Sequence, residues 1–510
     1  MPHWGVSILD GLKPSLMYPL ERARSLFPLR EVVGPDNRVN YRGMYNRVRR
    51  LASALSSMGV GRGDFVAALD VNSVRLMELA YASALTNSVF VPLNFRLPPV
   101  VVEEILEEVK PRLVFYSNTF EPLARLAPGS ARLFRFEDYE ALIDSTDASF
   151  KCEADPDSDY VLLFTSGTTG RPKGVMYTQW KMVLGALGIA SQLSLYDTPA
   201  RLGSGDVILS LIPVFHILSW GSILIAPFIG AKLVFIDKFD PQLVARRVEE
   251  EGVTWMNAVP TMIVMLLEAG ARFDGLKVLV GGSPVPSGLA VRMKDAGMRL
   301  STIYGATDML AVSISILNDH VGEEELRSVT HPVPYAEVKI VDENGVPVDR
   351  GGYGEIFFRA PWMPEVYWRN PEKTREAFTG DGWFKTGDLG EPVEGGGFRV
   401  LDRMKDAIKS GGEWIPSSML ESIMAEVEGV SMAAVLPRED PKWGERPVAL
   451  YVGPASPDTV RAKLLDAVKE GRIAKWWLPD EIIQVDEFPL TSTGKINKRL
   501  LREKLSELIK

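Results

Sequence analysis

Residues 160–179 read Tyr-Val-Leu-Leu-Phe-Thr-Ser-Gly-Thr-Thr-Gly-Arg-Pro-Lys-Gly-Val-Met-Tyr-Thr-Gln, and this stretch constrains the chain more than any other. The apolar run 161–164 has the length and composition of a buried strand. It stops at a loop of glycines and small hydroxyl residues, 165–170, and a second short apolar run, 175–177, follows. Glycines such as Gly167 and Gly170 accept positive φ and let an anion approach the backbone. Consecutive N–H groups in such a turn form an anion nest. The hydroxyls of Thr165, Ser166, Thr168 and Thr169 can donate to phosphate oxygens, and Lys173 adds a mobile positive charge. The spacing is not that of a G-x-x-x-x-G-K-[ST] loop, and no helix signal follows at once, so a P-loop fails on context. A solvated turn joining two strands is the plain alternative.

The 510 residues are too many for one core, so two or more domains are expected. A net charge of −9 argues against a general nucleic-acid binder. The single cysteine, Cys152, excludes an internal disulfide and a cysteine-cluster metal site. Residues 1–24 lack a basic start followed by an apolar block, so a cytoplasmic enzyme is expected. Residues 207–231 carry no Lys, Arg, Asp or Glu and are long enough to span a bilayer. Pro213, His216, Gly221 and Pro227 interrupt them, so the expectation is no transmembrane segment but a strand, turn and helix buried in a large α/β core.

Apolar residues at three- and four-residue steps predict a helix over 41–58, stopped by Gly59. A buried strand follows at 65–69, then a helix capped from 70–73 and running to 85, then a strand at 89–93. The same alternation recurs through 231–236, 241–251 and 254–258, with another strand at 277–280, which predicts parallel sheets with helices on their faces. After 328 short strands at 338–341, 355–359 and 398–401 are split by Gly-rich turns, a small β-rich subdomain. From 405 the α/β texture returns, with helices at 416–428 and 457–470 and strands at 433–437 and 448–452. The fold class is therefore α/β: a large N-terminal domain, 1–402, of parallel sheets flanked by helices plus the β-rich subdomain, and a small mobile α+β C-terminal domain, 403–510.

The 160–179 string resembles the phosphate loop of the adenylate-forming superfamily, which includes acyl-CoA synthetases, luciferases and peptide-synthetase adenylation domains. Further stretches match that superfamily in order, so the resemblance covers nearly the whole chain. In Ile303-Tyr304-Gly305-Ala306-Thr307-Asp308 it implies an aromatic against adenine and a carboxylate near Mg²⁺; Asp308 stands where Glu is usual, one methylene shorter. The adjoining nucleotide contacts it implies are Gly281, Gly282 and Ser283. In Trp383-Phe384-Lys385-Thr386-Gly387-Asp388-Leu389, Asp388 would accept from both ribose hydroxyls, and Arg403 would contact ribose or phosphate. Lys495, in Pro489-Leu490-Thr491-Ser492-Thr493-Gly494-Lys495, would bind the acid and the α-phosphate during adenylation, alongside Thr165, Lys173 and His216. Lys405 occupies the hinge position, about which the small domain would turn to bring Gly411, Gly412 and Glu413 to the pantetheine arm of coenzyme A.

Pro213-Val214-Phe215-His216-Ile217-Leu218-Ser219-Trp220-Gly221 resembles the medium- and long-chain fatty acyl-CoA synthetases, where the His lies near the carboxylate and the Trp gates an acyl tunnel. Gly305 leaves open a pocket that acetate-type relatives shorten with Trp. The apolar candidates for that pocket are Phe215, Trp220, Val259, Met309 and Leu310, and ordinary core packing is their equal alternative. The implied activity is an AMP-forming acid–CoA ligase using ATP, Mg²⁺ and coenzyme A on a medium- or long-chain fatty acid. A short, hydroxy or aromatic acid, adenylation for a carrier protein, and a non-catalytic nucleotide-binding homologue are the alternatives. A homodimer is an admissible assembly.

Overall fold

The computed structural model describes residues 13–147, 153–165, 172–364, 367–489 and 496–508. Three sheets organise them. The first has the order Arg132–Arg135, Leu113–Tyr116, Phe65–Leu69, Val89–Pro92, Asp159–Phe164, Gly174–Thr178, parallel except for the last pair. Its central strands are buried on both faces, which is why they read as continuous apolar runs rather than alternating ones. The helix Val74–Leu85 starts where Ser73 accepts from the Leu76 N–H, so the polar cluster ahead of it works as a cap.

The second sheet begins at Arg38–Asn40 and Glu31–Val33. It runs through the parallel set Lys232–Phe235, Val207–Ser210, Trp255–Ala258, Lys277–Gly281 and Arg299–Ala306. It then turns antiparallel through Leu310–Ile314 and Val329–Pro332 into Phe398–Arg403, Phe384–Pro392, Gly354–Arg359 and Glu337–Val341. The β-rich stretch is thus present, and Val329–Pro332 hydrogen-bonds it onto the large sheet. The apolar segment within 207–231 is a strand, Val207–Ser210, and a 13-residue helix, Ile217–Ile229, ended by Gly230 at φ 76°. Among the described residues no helix is long and apolar enough to cross a membrane. That helix lies beside a second, Gln179–Leu195, which directly follows the strand Gly174–Thr178. Both are packed in the apolar core shared by the first two sheets, which includes Tyr160, Val183, Trp220, Phe235 and Trp255.

The third sheet is small. Gly444–Val452 pairs with Met432–Asp440, Ile408–Ser410 and Glu481–Gln484, and Glu413–Ile415 is its edge. The helices Ser417–Met424 and Pro457–Lys469 cover one face over a core of Leu420, Val435, Tyr451 and Leu464. The helix Lys498–Leu508 covers the other through Leu501 and Leu505.

Candidate functional site

The site forms at the carboxyl ends of parallel strands, where open α/β sheets leave a crevice. Lys277–Gly281 and Arg299–Ala306 end side by side, with Gly281 opposite Ile303. Past Gly281 the chain turns at Gly282, φ 88°, into exposed Ser283. The strand carrying Tyr304 has a register shift between Tyr304 and Gly305, after which Gly305 and Ala306 still pair with Ala311 and Leu310 before the chain turns at 307–309.

Asp388 is the buried charge of this crevice, 2% exposed. It lies directly across the ladder from Arg403, whose Nε sits 2.9 Å from Oδ1. The Tyr304 hydroxyl donates to the other carboxylate oxygen at 2.6 Å. Burial pushes the Asp388 carboxyl above its usual range, and Arg403 and Tyr304 only partly offset it. The Tyr304 ring meets Phe398 edge-on at 5.9 Å.

Asp308 is half-buried on the same turn and accepts from the Tyr367 hydroxyl at 2.6 Å. The Lys173 ammonium lies 4.9 Å from the centre of the Tyr367 ring. The stem of the phosphate-loop candidate is closed by Thr165 N–H donating to the Lys173 carbonyl at 2.9 Å and Lys173 N–H donating to Thr165 Oγ1 at 3.2 Å. Tyr177 supports the turn from beneath, its hydroxyl donating to the Thr307 carbonyl at 2.7 Å. Tyr367 therefore joins the loop stem to the carboxylate turn. Sequence reasoning missed both tyrosines; Tyr367 lies 59 residues from Asp308, and no local spacing signals the pairing. Ser166, Gly167, Thr168, Thr169, Gly170 and Lys495 lie outside the described residues.

An apolar slot opens beside Gly281 and runs between the helices Gln179–Leu195 and Ile217–Ile229, with a free volume of about 40 Å³. Trp220 and Leu310 are on its wall; Phe215, Val259 and Met309 are not. Phe215 instead meets Phe95 edge-on at 5.1 Å and His216 at 4.7 Å. Trp220 is anchored in the core: its Nε1 donates to the Val214 carbonyl at 3.0 Å, and Tyr160 and Phe90 meet it edge-on. Leu310 has φ 60°, a left-handed backbone that costs a leucine about 1–2 kcal/mol, at the join between the Asp308 turn and the slot. His216 precedes the first turn of Ile217–Ile229, half-buried.

In the small C-terminal body, Gly411 and Gly412 turn at φ 63° and 90° between Ile408–Ser410 and exposed Glu413. Trp443 closes over Gly411, which donates its N–H to the Trp443 carbonyl at 2.7 Å. Lys405 is exposed, and its carbonyl accepts from Arg502 at 2.9 Å.

The donors would fit Mg²⁺ carried in by a nucleotide rather than a protein cage. Asp308 offers one carboxylate, and among the described residues no cluster of three His, Cys, Asp or Glu could hold an ion. Mg²⁺ typically takes one or two carboxylates with phosphates and waters.

The family described as AMP-binding enzyme matches residues 20–368, and its C-terminal domain matches 419–495. The chain is 35% identical to the long-chain-fatty-acid–CoA ligase of Thermus thermophilus, covering 95% of this chain and 94% of that one. It is 33% identical to a feruloyl-CoA synthase of an Amycolatopsis species, covering 96% and 98%. The o-succinylbenzoate coenzyme A synthetase of Bacillus subtilis, solved with ATP and magnesium ion, superimposes with a TM-score of 0.80 at 27% identity over 95% of this chain and 99% of that one.

Proposed function

The chain belongs to the AMP-binding enzyme family as an acyl-CoA synthetase, and from that premise we propose how its residues share the work. ATP and a carboxylic acid meet in the crevice; a carboxylate oxygen attacks the α-phosphorus and pyrophosphate leaves. The coenzyme A thiol then attacks the acyl carbon and AMP leaves with its bridging oxygen. The observation that carries this reading is the convergence of Tyr304, Asp388 and Arg403 with Asp308, Lys173 and the mouth of the apolar slot.

Asp388 and Arg403 would take the ribose hydroxyls, Tyr304 the base, and Thr165 to Gly170 with Lys173 the triphosphate. Asp308 would approach Mg²⁺, which supplies charge screening on the phosphates. Lys495 would serve the first half-reaction only. Residues 1–402 and 403–510 would be two bodies hinged at Lys405, a division supported by the separate cores of the third sheet. Gly411, Gly412 and Glu413 would line the coenzyme A path in the second half-reaction.

The acid proposed is a medium- or long-chain one whose acyl group enters the slot. About three waters' worth of free volume, at roughly 10–15 Å³ each, means the walls part to admit it. Acid-dependent ATP–pyrophosphate exchange over a chain-length panel, with and without coenzyme A, tests this. In the slot wall, a Cβ added at Gly221 meets only Ile225, at 3.8 Å, and removing a mid-helix glycine favours the helix. Gly221→Leu, with folding checked by its melting curve, should shorten the range of acids accepted. An unchanged panel would remove the slot as the acyl site.

A further inference from the structure

Among the described residues of the slot wall, both indole N–H groups and the Asn257 carbonyl have partners, and one hydroxyl has none. Trp220 donates to Val214 O at 3.0 Å, and Trp255 donates to Ala200 O at 2.9 Å. Asn257 Oδ1 accepts from the Leu211 N–H at 3.3 Å. Ser222 is 4% exposed, lines the slot, and its Oγ has no hydrogen-bond partner. Other buried hydroxyls among the described residues also lack partners, those of Ser210, Ser219 and Ser313 for example, but none of these residues lines the slot. A helical serine ordinarily bonds back to the carbonyl four residues earlier; this one does not. An unpaired hydroxyl in an apolar wall is a standing penalty, which an incoming hydrogen-bonding group removes and an alkyl chain retains.

We propose that Ser222 reads a hydrogen-bonding substituent on the acyl group, so that the substrate of this slot is an acid bearing a hydroxyl, oxo or ether oxygen along its chain rather than a plain alkyl acid. The proposal rests on the slot being the acyl site. It gives the slot two tasks: the surrounding Met182, Ile189, Leu224 and Ile225 take the carbon skeleton, and Ser222 takes the single polar atom. Sites that hydrogen-bond a substrate group discriminate far more sharply than apolar walls discriminate a methylene.

The experiment compares kcat/KM for matched pairs of acids of equal length, one alkyl and one carrying an oxygen at successive chain positions, in the wild type, Ser222→Ala and Gly221→Leu. The wild type should favour the oxygenated member at one position by roughly tenfold or more. Ser222→Ala should erase that preference while raising the rate on the alkyl acid, and should melt no lower than the wild type because it removes an unpaired group. If Ser222→Ala changes both members of every pair equally, Ser222 holds a water or nothing and the proposal is overturned. If Gly221→Leu leaves every acid unaffected, the slot itself is not the acyl site and the underlying reading fails instead. Loss of acid use in Gly221→Leu together with a lost preference in Ser222→Ala supports both.

Discussion

Tyr367 orients the carboxylate proposed to approach Mg²⁺. Asp308 stands one methylene back from the usual Glu, and the Tyr367 hydroxyl fixes one of its oxygens at 2.6 Å while the ring faces Lys173. Burial, with Asp308 beside it, raises the Tyr367 phenol well above its usual value, so the hydroxyl stays a donor throughout the working pH range. Hydrogen bonds to charged groups contribute about 1.5–3 kcal/mol. Tyr367→Phe should therefore raise the free Mg²⁺ needed for half-maximal pyrophosphate release by roughly tenfold or more. Asp308→Glu should lower it, since the longer carboxylate reaches the ion directly. Superimposable Mg²⁺ curves for the three proteins would take Asp308 away from the metal.

Much of the element scale was legible in the residues. The helix Pro241–Glu251 was fully signalled: Asp240 caps it by accepting from the Leu243 N–H, and Gly252 ends it at φ 66°. Phe65–Leu69 was readable because a strand buried on both faces is an unbroken apolar run between turn residues. Gln179–Leu195 was not readable, because it is buried nearly all round and so carries no amphipathic period. Asp388 and Arg403 were singled out only through the family resemblance; the ladder that sets one opposite the other has no signature in either segment alone. Ser222 was missed because an unpaired hydroxyl is a property of its surroundings.

Also at the scale of elements, the proposed hinge is bridged. Asp402, ahead of Lys405, accepts from Ser417 Oγ at 2.6 Å and from Ser418 N–H at 3.2 Å, both behind it at the start of the helix Ser417–Met424. Lys498 continues the link, 2.7 Å from Ser417 Oγ and 2.6 Å from Glu421. Turning about Lys405 must break the Asp402 bonds. Asp402→Ala should cost about 0.5–2 kcal/mol of stability, as for a lost cap, and should shorten the lag between adenylate and thioester in a single turnover. An unchanged lag would mean that the pivot lies elsewhere.

Across the whole molecule, Glu426 ties the C-terminal body to the large one. Its carboxylate receives Ser287 Oγ at 2.7 Å from the helix Ser287–Asp295, and pairs with Arg472 at 2.5 Å and Lys463 at 3.0 Å. Burial alone would push the group up, but these partners bring it down from 4.5 to about 2. A depressed folded-state value means that the contribution to stability is complete above 4.5 and is lost as the pH falls toward 2. The gap in melting temperature between wild type and Glu426→Gln should be constant near neutrality and should close across that acid window. A gap independent of pH would mean that the ion pairs contribute nothing.

In the proposed reaction a carboxylate oxygen of the acid attacks the α-phosphorus of ATP. The direct measurement is a turnover with acid labelled with ¹⁸O in its carboxylate, followed by mass analysis of the AMP, pyrophosphate and acyl-CoA formed. Attack at the α-phosphorus leaves AMP carrying one labelled oxygen, acyl-CoA retaining the other, and unlabelled pyrophosphate. Unlabelled AMP, or label in a phosphate released from the terminal position, would contradict it.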